Sequence, residues 1–595
     1  MSENYLEKGN KNRRNNMNNL LVILVAMSIL LVVVLVAILF VELSGKGPAE
    51  NDGDKTKTEI VQNGEKGNEN KDPKINDEKD PGTEDAPATP TPSPTPVPAI
   101  SVEEKRMLSL TPEKVEEVYG ASVKKYGVMN YSKYVSGNVV VFTESPLVED
   151  ESLAKLISQA AEEAEKTGLE KINSMAVDLN PEESNLVVNY DSYANGVFVS
   201  VVYKITCETV KGAEKTLVTS YRPHVYNTLT KEEVAEEDFV KECYLPIIKE
   251  RVAAHFIQEF ETEAQNKGTT ADAAIEAAQA KTFLDGATAY SAKDYTKFYV
   301  TDKELVFCFD KDALIKHDAF QYPVDLTEAK AFLKFELSDG AAKGPYIRED
   351  LDPNGKMIAF TFDDGPHIAR EKEICDFFNE HNARATFFSN CGEERKGRYG
   401  SLTYLYNNGM EVASHTYNHC SFDSVGTSFA KYVNEDYSRY WYEVNMNTLA
   451  IAQYTGYAPD YVRYPGGQFK WEVDYDYLGK YACYPSINWT IDTEDWSKNN
   501  KEAYSPKDYA HTTDSAEVTE TKVSKTVKTI LDNAEDGAII LMHSIYQNSV
   551  TAAKRAVEEL QAQGYQIVTV SELFYYKGIT PENGKIYKSA KDAPQ

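Results

Sequence analysis

The chain has 595 residues, of which 42% are hydrophobic, and it carries a formal net charge of −30 at pH 7. A surplus of negative charge on this scale argues against binding to nucleic acid through bulk electrostatics, and we find no basic patch or glycine-rich phosphate loop. The seven cysteines are sparse and odd in number, so they indicate no disulfide framework.

An uncharged apolar run from Leu20 to Val41 is the first predicted element. About 22 residues at roughly 1.5 Å each make a helix of about 33 Å, enough for the hydrocarbon core of a bilayer. Four cations precede it: Lys8, Lys11, Arg13 and Arg14. The positive-inside rule then places residues 1–19 in the cytoplasm. No small-residue cleavage site follows the run, so we predict an uncleaved single-pass anchor at 20–42, with a cleaved signal peptide as the alternative.

Residues 43–100 have the composition of a spacer. They are rich in Asn, Lys, Glu, Asp and Gly and contain no aromatic residue, so they cannot bury a core. The proline-rich end, Pro87–Pro98, is expected to be extended and semi-rigid. We interpret the segment as a disordered tether.

The region after the spacer has globular composition and mixes strand-like and helical patterns. Glu151–Gly168 predicts a helix between strands, and residues 298–309 predict a β-hairpin that turns at Thr301–Lys303. We predict two α+β accessory domains here, at 101–210 and 211–345.

Two adjacent carboxylates, Asp363 and Asp364, end a predicted strand that includes the apolar run 357–360. Gly365 and Pro366 follow as a strong turn signal. Charges at the end of a buried strand are costly unless they are paired or bind a metal. The pair therefore suggests one metal ligand and one base, although a solvated turn would carry the same residues.

Two histidines four positions apart, His415 and His419, follow the next strand-like stretch, 410–413. In a helical turn their Cβ atoms lie about 5–6 Å apart, which suits two imidazoles on one ion. Two histidines and one carboxylate leave an open coordination position, the pattern of a catalytic zinc site. The thiol of Cys420 could also bind a metal, but a set of Cys420 and the two histidines is no stronger than the set of Asp364 and the two histidines.

Three more polar clusters follow predicted strands: Arg463–Gly467, Asp492–Trp496, and His543 at the end of 538–542. Each cluster alone is ambiguous, because a surface arginine, a solvated acidic turn or a core histidine is common. Together the five clusters indicate a parallel α/β barrel, in which active-site residues follow the strands.

In order, the five motifs are TFDDGP, HxxxH, RxPxG, DxxDW and LxH. On these motifs, residues from about 355 to 575 resemble the polysaccharide deacetylase catalytic domain (carbohydrate esterase family 4, the NodB homology domain). The resemblance implies a distorted (β/α) barrel, which we place at 346–580 before a short tail at 581–595. It also implies a divalent metal, usually zinc with cobalt as a substitute, and hydrolysis of N-acetyl groups on a β-1,4-linked sugar polymer.

The residue chemistry and the resemblance agree on the metal and the base. Asp364, His415 and His419 are expected to hold the metal. Asp363 is expected to take a proton from water as general base. The resemblance implies that Arg463 orients Asp363.

The remaining roles concern the acid and the substrate. His543 is expected to protonate the departing amine, and the resemblance implies that Asp495, rather than Asp492, holds and charges it. A backbone N–H near Gly466 is expected to stabilise the oxyanion. The predicted substrate-binding residues are Pro465, Gly466, Gly467, Trp496 and Leu541.

Two features depart from the family pattern. The family often has an aromatic residue between the Pro and Gly of the third motif, where this chain has Gly466. A long polar stretch, Ser497–Glu520, follows the fourth motif, and we favour a surface loop over a lid for it. His511 within it is expected to be exposed.

Residues 190–335 resemble, more loosely, the RsiV-like domain that precedes the deacetylase domain in some exported peptidoglycan deacetylases. This region has no ligand motif. Binding of wall glycan and plain support for folding or spacing are therefore both open for it.

Anchor, tether and barrel together predict a membrane-anchored extracellular deacetylase that acts on peptidoglycan amino sugars, N-acetylglucosamine first. A deacetylase of chitin or acetylated xylan is one alternative, because it keeps the chemistry and changes the polymer. A non-catalytic wall-binding protein is the other, and the completeness of the five motifs argues against it.

Overall fold

The computed structural model describes residues 100–267, 297–309, 320–420, 437–467, 483–505, 508–512 and 514–591. All of these residues belong to one compact unit, Pro96–Gln595. The predicted cytoplasmic segment and anchor, and nearly all of the spacer, lie outside the described residues. Within the described ranges, no helix has both the length and the apolar character needed to cross a bilayer.

The first part of the described chain is a six-stranded sheet with its helices. In chain order the elements are α1 (Val102–Ser109), α2 (Pro112–Tyr119), β1 (Val128–Ser136), β2 (Val139–Leu147), α3 (Glu151–Leu179), β3 (Glu183–Asn195), β4 (Phe198–Lys211), β5 (Glu214–Asn227), β6 (Glu232–Glu233), α4 (Glu236–Phe239) and α5 (Tyr244–Lys267). The strands lie in the order β1 to β6. All neighbours are antiparallel except β2 and β3, which the long helix α3 connects.

Helix α3 packs its apolar face on this sheet. Asp150 caps its first turn, and its buried residues recur at helical spacing from Leu153 to Met175. The helix that we predicted to end at Gly168 continues to Leu179. Gly168 marks a contact with the sheet instead of a helix end, because a Cβ at this position would lie 2.4 Å from a methyl group of Leu186.

The hairpin of β4 and β5 crosses the boundary that we predicted at 210 and 211. Its pairing runs from Lys211 opposite Glu214 to Phe198 opposite Asn227. Residues on both sides of the predicted boundary therefore belong to one sheet.

A second, three-stranded sheet follows, formed by β7 (Lys297–Val300), β8 (Glu304–Phe309) and β9 (Phe320–Asp325). The short helix α6 (Leu326–Ala329) and a 3₁₀ turn (Lys330–Phe332) come next. The predicted hairpin at 298–309 is confirmed, because β7 and β8 are antiparallel. Thr301 closes its turn by donating its backbone N–H to Glu304 O at 2.8 Å.

The accessory region and the C-terminal region share one hydrophobic core. This core includes Ile248 of α5 and Val462, which directly precedes the third motif. Lys241 adds a polar link, because its Nζ donates to Ala458 O at 2.6 Å and to Asp460 Oδ1 at 2.7 Å. The C-terminal region is therefore packed against the accessory region through both apolar and ionic contacts.

The C-terminal region alternates strands and helices. In chain order its elements are β10 (Lys356–Gly365), α7 (Ile368–Glu380), β11 (Ala385–Ser389), a 3₁₀ helix (Glu393–Arg398), α8 (Gly400–Asn407), β12 (Glu411–Ser414), α9 (Tyr437–Thr455), a 3₁₀ turn (Pro465–Gly467), β13 (Ser486–Ile487), β14 (Ile491–Asp492), β15 (Tyr504–Ser505), β16 (Asp508–Thr512), α10 (Ala516–Asn533), β17 (Ile539–His543), α11 (Gln547–Ala562), β18 (Tyr565–Val568), α12 (Val570–Lys577) and β19 (Ile586–Tyr587).

The main sheet of this region is parallel and curves toward closure. Its strands lie in the order β12, β11, β10, β17 and β14, and β18 pairs with the first half of β10. Parallel bridges from Ser414 to Val462 and from Val462 to Ser486 extend the curve beyond β12. The curve thus approaches β14 from the other side, as in the predicted distorted (β/α) barrel.

Alternation along the strands separates two cores. In β10, Ile358, Phe360 and Phe362 pack under the surrounding helices, whereas Met357 and Ala359 belong to a second cluster on the opposite face. Side chains that continue this inner face point toward the interior of the barrel, and the last of them emerge at the carboxyl edge of the sheet. The site described below is built at this edge.

The stretch Ser497–Glu520 is only partly a loop. It contains β15 and β16, which pair antiparallel, and α10 begins at Ala516. Its first residues are anchored instead of solvated, because the buried Glu502 accepts the backbone N–H groups of Gln547 and Asn548 at 2.7 and 3.2 Å. His511 lies in β16, and its side chain is outside the described part of the structure.

Six of the seven cysteines are buried. Cys375 and Cys391 lie in the core beneath the helices of the barrel.

Candidate active site

The carboxyl edge of the parallel sheet brings together residues from motifs far apart in the chain. Asp363 pairs with His543 because β10 and β17 are parallel and in register there. His415 follows the last residue of β12, and its N–H donates to Ser389 O at the end of β11 (3.0 Å). Strands β12, β10 and β17 thus place an acid and two histidines at one edge of the sheet.

Asp364, His415 and His419 form a group that fits a metal ion. One ligand atom from each lies within 4.8 Å of the others. Asp364 Oδ1 is buried and accepts no hydrogen bond from any described residue, although His419 Nε2 lies only 3.0 Å away. A buried carboxylate oxygen without a donor is costly, and a cation at this position would satisfy it. The donor set therefore fits the predicted metal.

The imidazole of His415 is held in the orientation that a ligand requires. Its Nδ1 lies 2.7 Å from Arg463 O, so Nδ1 carries the proton and Nε2 faces Asp364 Oδ1 at 3.6 Å. Burial lowers the pKa of His415, which favours the neutral ring that binds metals. Burial alone would raise the pKa of Asp364, but the imidazoles of His419, His415 and His543 outweigh it and hold this pKa below its usual range.

The loops that carry these ligands are strained. Asp364, Thr416 and His419 all have positive φ angles of 68°, 64° and 55°, a region that side chains other than glycine rarely adopt. Such strain persists only where the surroundings fix it. The backbone of the ligand loops is therefore set by its neighbours and not by local preference.

Two side chains hold the strained loops together. Asn390 Nδ2 donates to His415 O and Thr416 O, and Asn390 Oδ1 accepts from Arg395. The guanidinium of Arg395 also donates to Asp364 O at 3.0 Å. Asn390 and Arg395 thus connect the backbone of both ligand loops.

The backbone just before His419 is held by a further side chain, Glu443. The buried carboxylate of Glu443 on α9 accepts the backbone N–H and the side-chain amide of Asn418, at 2.7 and 2.9 Å. Because Asn418 directly precedes His419, Glu443 fixes the position of the third ligand.

Arg463 holds Asp363, as predicted. The arginine is fully buried, and its Nη1 donates to Asp363 Oδ1 and to Thr361 Oγ1, both at 2.7 Å. Its Nε donates to Ile487 O at 2.7 Å. The fixed guanidinium occupies Oδ1 and leaves Oδ2 on the side of the metal ligands, 3.6 Å from His415 Nε2.

His543 is paired with Asp495. Its Nδ1 lies 2.8 Å from Asp495 Oδ1, and its backbone N–H donates to Oδ2 at 2.8 Å. Ser549 donates to the same Oδ2 at 2.5 Å. Asp492, the alternative partner, instead accepts the backbone N–H of Glu494 within its own turn.

Pairing with Asp495 determines the charge of the His543 imidazole. Burial lowers the pKa of His543, but Asp495, with further contributions from Asp364 and Asp363, raises it to about 9. His543 is therefore protonated at neutral pH, with Nε2 as the ring donor that Asp495 does not occupy.

The predicted substrate-binding residues differ in burial and in the space around them. Pro465 and Leu541 are buried, Leu541 on the inner face two residues before His543. Gly466 has open space where a side chain would begin, whereas Gly467 touches the ring of Trp489. Trp496 is 49% exposed.

Five contributing residues were not predicted: Asn390, Arg395, Glu443, Trp489 and Ser549. Asn390 follows directly after β11 and Trp489 follows β13, so the rule that site residues follow strands could have found both. Glu443 and Ser549 lie on helices and Arg395 in a 3₁₀ helix, with no local signal in the sequence.

The chain is similar to known polysaccharide deacetylases. A family model described as polysaccharide deacetylase matches residues 350–480. Peptidoglycan-N-acetylmuramic acid deacetylase PdaC of Bacillus subtilis (strain 168) is 26% identical over 325 residues, covering 52% of this chain and 60% of PdaC. Peptidoglycan-N-acetylglucosamine deacetylase PgdA of Listeria monocytogenes serotype 1/2a (strain 10403S) is 29% identical over 238 residues, covering 40% of this chain and 42% of PgdA.

The chain thus spans less than two thirds of the length of these two relatives. Among solved structures, peptidoglycan deacetylase PdaC from Bacillus subtilis is 29% identical and covers 38% of this chain and 94% of that one, with a TM-score of 0.30. The matched family model covers the first three of the five motifs. The chain therefore carries a polysaccharide deacetylase domain.

Proposed function

We propose that the chain is a membrane-anchored, extracellular, metal-dependent deacetylase that removes N-acetyl groups from peptidoglycan amino sugars, N-acetylglucosamine before N-acetylmuramic acid. The observation that carries the proposal is the meeting of Asp364, His415 and His419 with Asp363 and His543 at one sheet edge. The names of the relatives support a wall glycan as the substrate.

Asp364, His415 and His419 would hold the metal. Two imidazole nitrogens and one carboxylate oxygen suit Zn²⁺, and Co²⁺ accepts the same donors. When bound, a divalent metal supplies a Lewis acid that polarises a carbonyl oxygen and lowers the pKa of water toward neutrality.

Asp363 acts as the general base. Arg463 occupies its Oδ1, so Oδ2 is the oxygen available to take a proton from the attacking water. The hydrogen bond from the fixed guanidinium restrains the rotation of the carboxylate. The turn Pro465–Gly467 is the proposed source of the backbone N–H that stabilises the oxyanion.

His543 acts as the general acid. An amine leaves poorly as an anion, so its nitrogen must receive a proton as the bond to the acetyl carbon breaks. Asp495 holds Nδ1 and favours the imidazolium, so the proton on Nε2 is the one donated to the sugar nitrogen. Ser549 fixes the plane of Asp495.

Membrane attachment rests on the sequence. The apolar run within 20–42 and the proline-rich tether after it suit an enzyme that works on a polymer fixed close to its own membrane. The accessory region contributes support, because it shares its core with the barrel and holds Asp460 through Lys241.

The name of one further relative supports an alternative substrate. A bifunctional xylanase/deacetylase of Pseudobutyrivibrio xylanivorans is 29% identical over 242 residues, covering 40% of this chain and 34% of that protein. Acetylated xylan is therefore the alternative polymer, with the same residues in the same roles.

The test is to treat purified peptidoglycan and acetylated xylan with residues 101–595 and with the matched Asp363→Asn variant. We expect new free amines on the glucosamine residues of peptidoglycan, located by mass spectrometry, and none with the variant. Amines on the muramic acid residues alone would overturn the choice of sugar. Acetate release from xylan alone would overturn the choice of polymer.

A further inference from the structure

A pocket of about 510 Å³ lies at the end of the sheet opposite the candidate active site. Met410 and Glu411 at the start of β12 line it, whereas His415 follows the other end of the same strand. Arg384, the residue before β11, lines it from the neighbouring strand. The volume lies in the range of small-molecule sites, and none of its lining residues belongs to the deacetylase machinery.

Arg384 is the unsatisfied cation of this pocket. Its Nη1 donates to the carbonyl of its neighbour Ala383 at 2.9 Å. Its Nε is buried beside Gly409 and finds no acceptor, so a ligand would have to reach the terminal nitrogens of the guanidinium. Arg384 also forms no ion pair with any residue in the described part of the chain. The nearby Arg348 contrasts with it, because Arg348 is paired with Glu572 through Nε and Nη2 at 2.7 and 2.9 Å. A partly buried guanidinium without an anion is costly.

The two acids in the pocket wall do not supply that anion. Glu411 accepts hydrogen bonds from Thr386 and Ser571, and burial raises its pKa to about 7. Asp460 is held by Lys241 and by the hydroxyl of Tyr457 at 2.9 Å. Both carboxylates thus already have partners, and the ammonium group of Lys241 offsets the charge of Asp460.

The remaining wall is aromatic and amide-rich. Tyr406 is stacked on Tyr457 with ring centroids 6.0 Å apart, and Tyr346 is 62% exposed at the rim. Asn407 lines the same opening, and its side chain forms no hydrogen bond with a described residue. Flat rings and the free amide of Asn407 suit a polyhydroxylated ring, and a guanidinium suits a carboxylate.

We propose that this pocket is a second ligand site that binds a carboxylated sugar, with the carboxylate on Arg384 and the sugar ring among Tyr346, Tyr406 and Asn407. The site is separate from the deacetylase centre, and the proposal does not rest on the proposed function.

The test uses isothermal titration of residues 101–595 with three probes: glucuronate, glucose and acetate. Glucuronate is expected to bind at least about tenfold more tightly than glucose, which lacks the carboxylate, and than acetate, which lacks the ring. Arg384→Gln is expected to weaken glucuronate binding by about tenfold or more, and Arg384→Lys by less. Tyr346→Ala, at an exposed position that does not endanger folding, is expected to weaken glucuronate and leave acetate unchanged.

Hydrolysis of a soluble chitooligosaccharide serves as the folding control, because none of these variants touches the catalytic residues. Glucose binding as tightly as glucuronate would overturn the role of Arg384, and acetate binding as tightly would overturn the sugar. Glucuronate binding that is absent, or equal in the wild type, Arg384→Gln and Tyr346→Ala, would overturn the site.

Discussion

Replacement of Asp495 by asparagine should move the alkaline limb of the pH–rate profile to lower pH. The pKa of His543 stands at about 9, where burial lowers it and Asp495 raises it most. Relative to the ordinary 6.5, this favours the imidazolium by about 3 kcal/mol at about 1.4 kcal/mol per pH unit. Asp364 and Asp363 remain in the variant, so we expect the alkaline limb to fall by about one to two pH units and not by the whole difference.

The direction of the pH shift follows from the role of His543 as general acid. His543 must be protonated to donate, so activity is lost as pH rises through its pKa, and removal of the anion brings this loss to lower pH. For stability, a raised pKa means that the His543–Asp495 pair contributes fully below about 6.5 and is lost as pH rises through about 9. The destabilisation caused by Asp495→Asn should therefore be larger at pH 6 than at pH 10.

The assay is the initial rate on a soluble chitooligosaccharide between pH 5 and pH 10, with Asp492→Asn as the matched control. We expect Asp492→Asn to leave the alkaline limb in place, because that carboxylate only closes its own turn. A shift in the Asp492 variant alone would show that the partner was wrongly assigned. An unmoved limb in both variants would show that His543 is not the acid that limits the rate.

Three further predictions concern the metal, the base and the third motif. His415→Ala should lose its metal on dialysis, measured by elemental analysis, and full stoichiometric metal would refute the ligand assignment. Asp363→Asn should keep its metal and lose about 10²-fold or more in rate, and near-normal turnover would show that another group takes the proton. Gly467→Ala should lower kcat/KM strongly, because its Cβ would lie 2.3 Å from the ring of Trp489. Gly466→Ala shares the positive φ but has open space, so a loss there as large as at Gly467 would refute this reasoning.

The site could be predicted from the sequence because the motif residues lie at, or shortly after, the carboxyl ends of strands in one curved parallel sheet. Parallel strands end at one edge, so Asp363, His415 and His543 had to meet there once the strands were recognised. The choice of Asp495 over Asp492 followed the resemblance, and the hydrogen bonds to His543 agree with it.

Other features of the structure could not be predicted from local sequence patterns. Glu443 and Ser549 act from helices, where their side chains resemble ordinary core or surface positions until the partner loop is known. The sequence underestimates the length of α3 because Gly168 resembles a helix end, although it serves a close contact with the sheet. The polar composition after Trp496 predicts a loop, whereas the buried Glu502 ties this stretch to α11.

The most direct test of the central claim is to count acetate and new amines released from purified peptidoglycan by residues 101–595, with zinc supplied and after removal of metal by a chelator. We predict one free amine for each acetate with the metal-loaded protein, a rate at background without metal, and recovery when zinc or cobalt is restored. A folded, metal-loaded protein that releases no acetate from any acetylated glycan would contradict the account and favour a wall-binding module without catalysis.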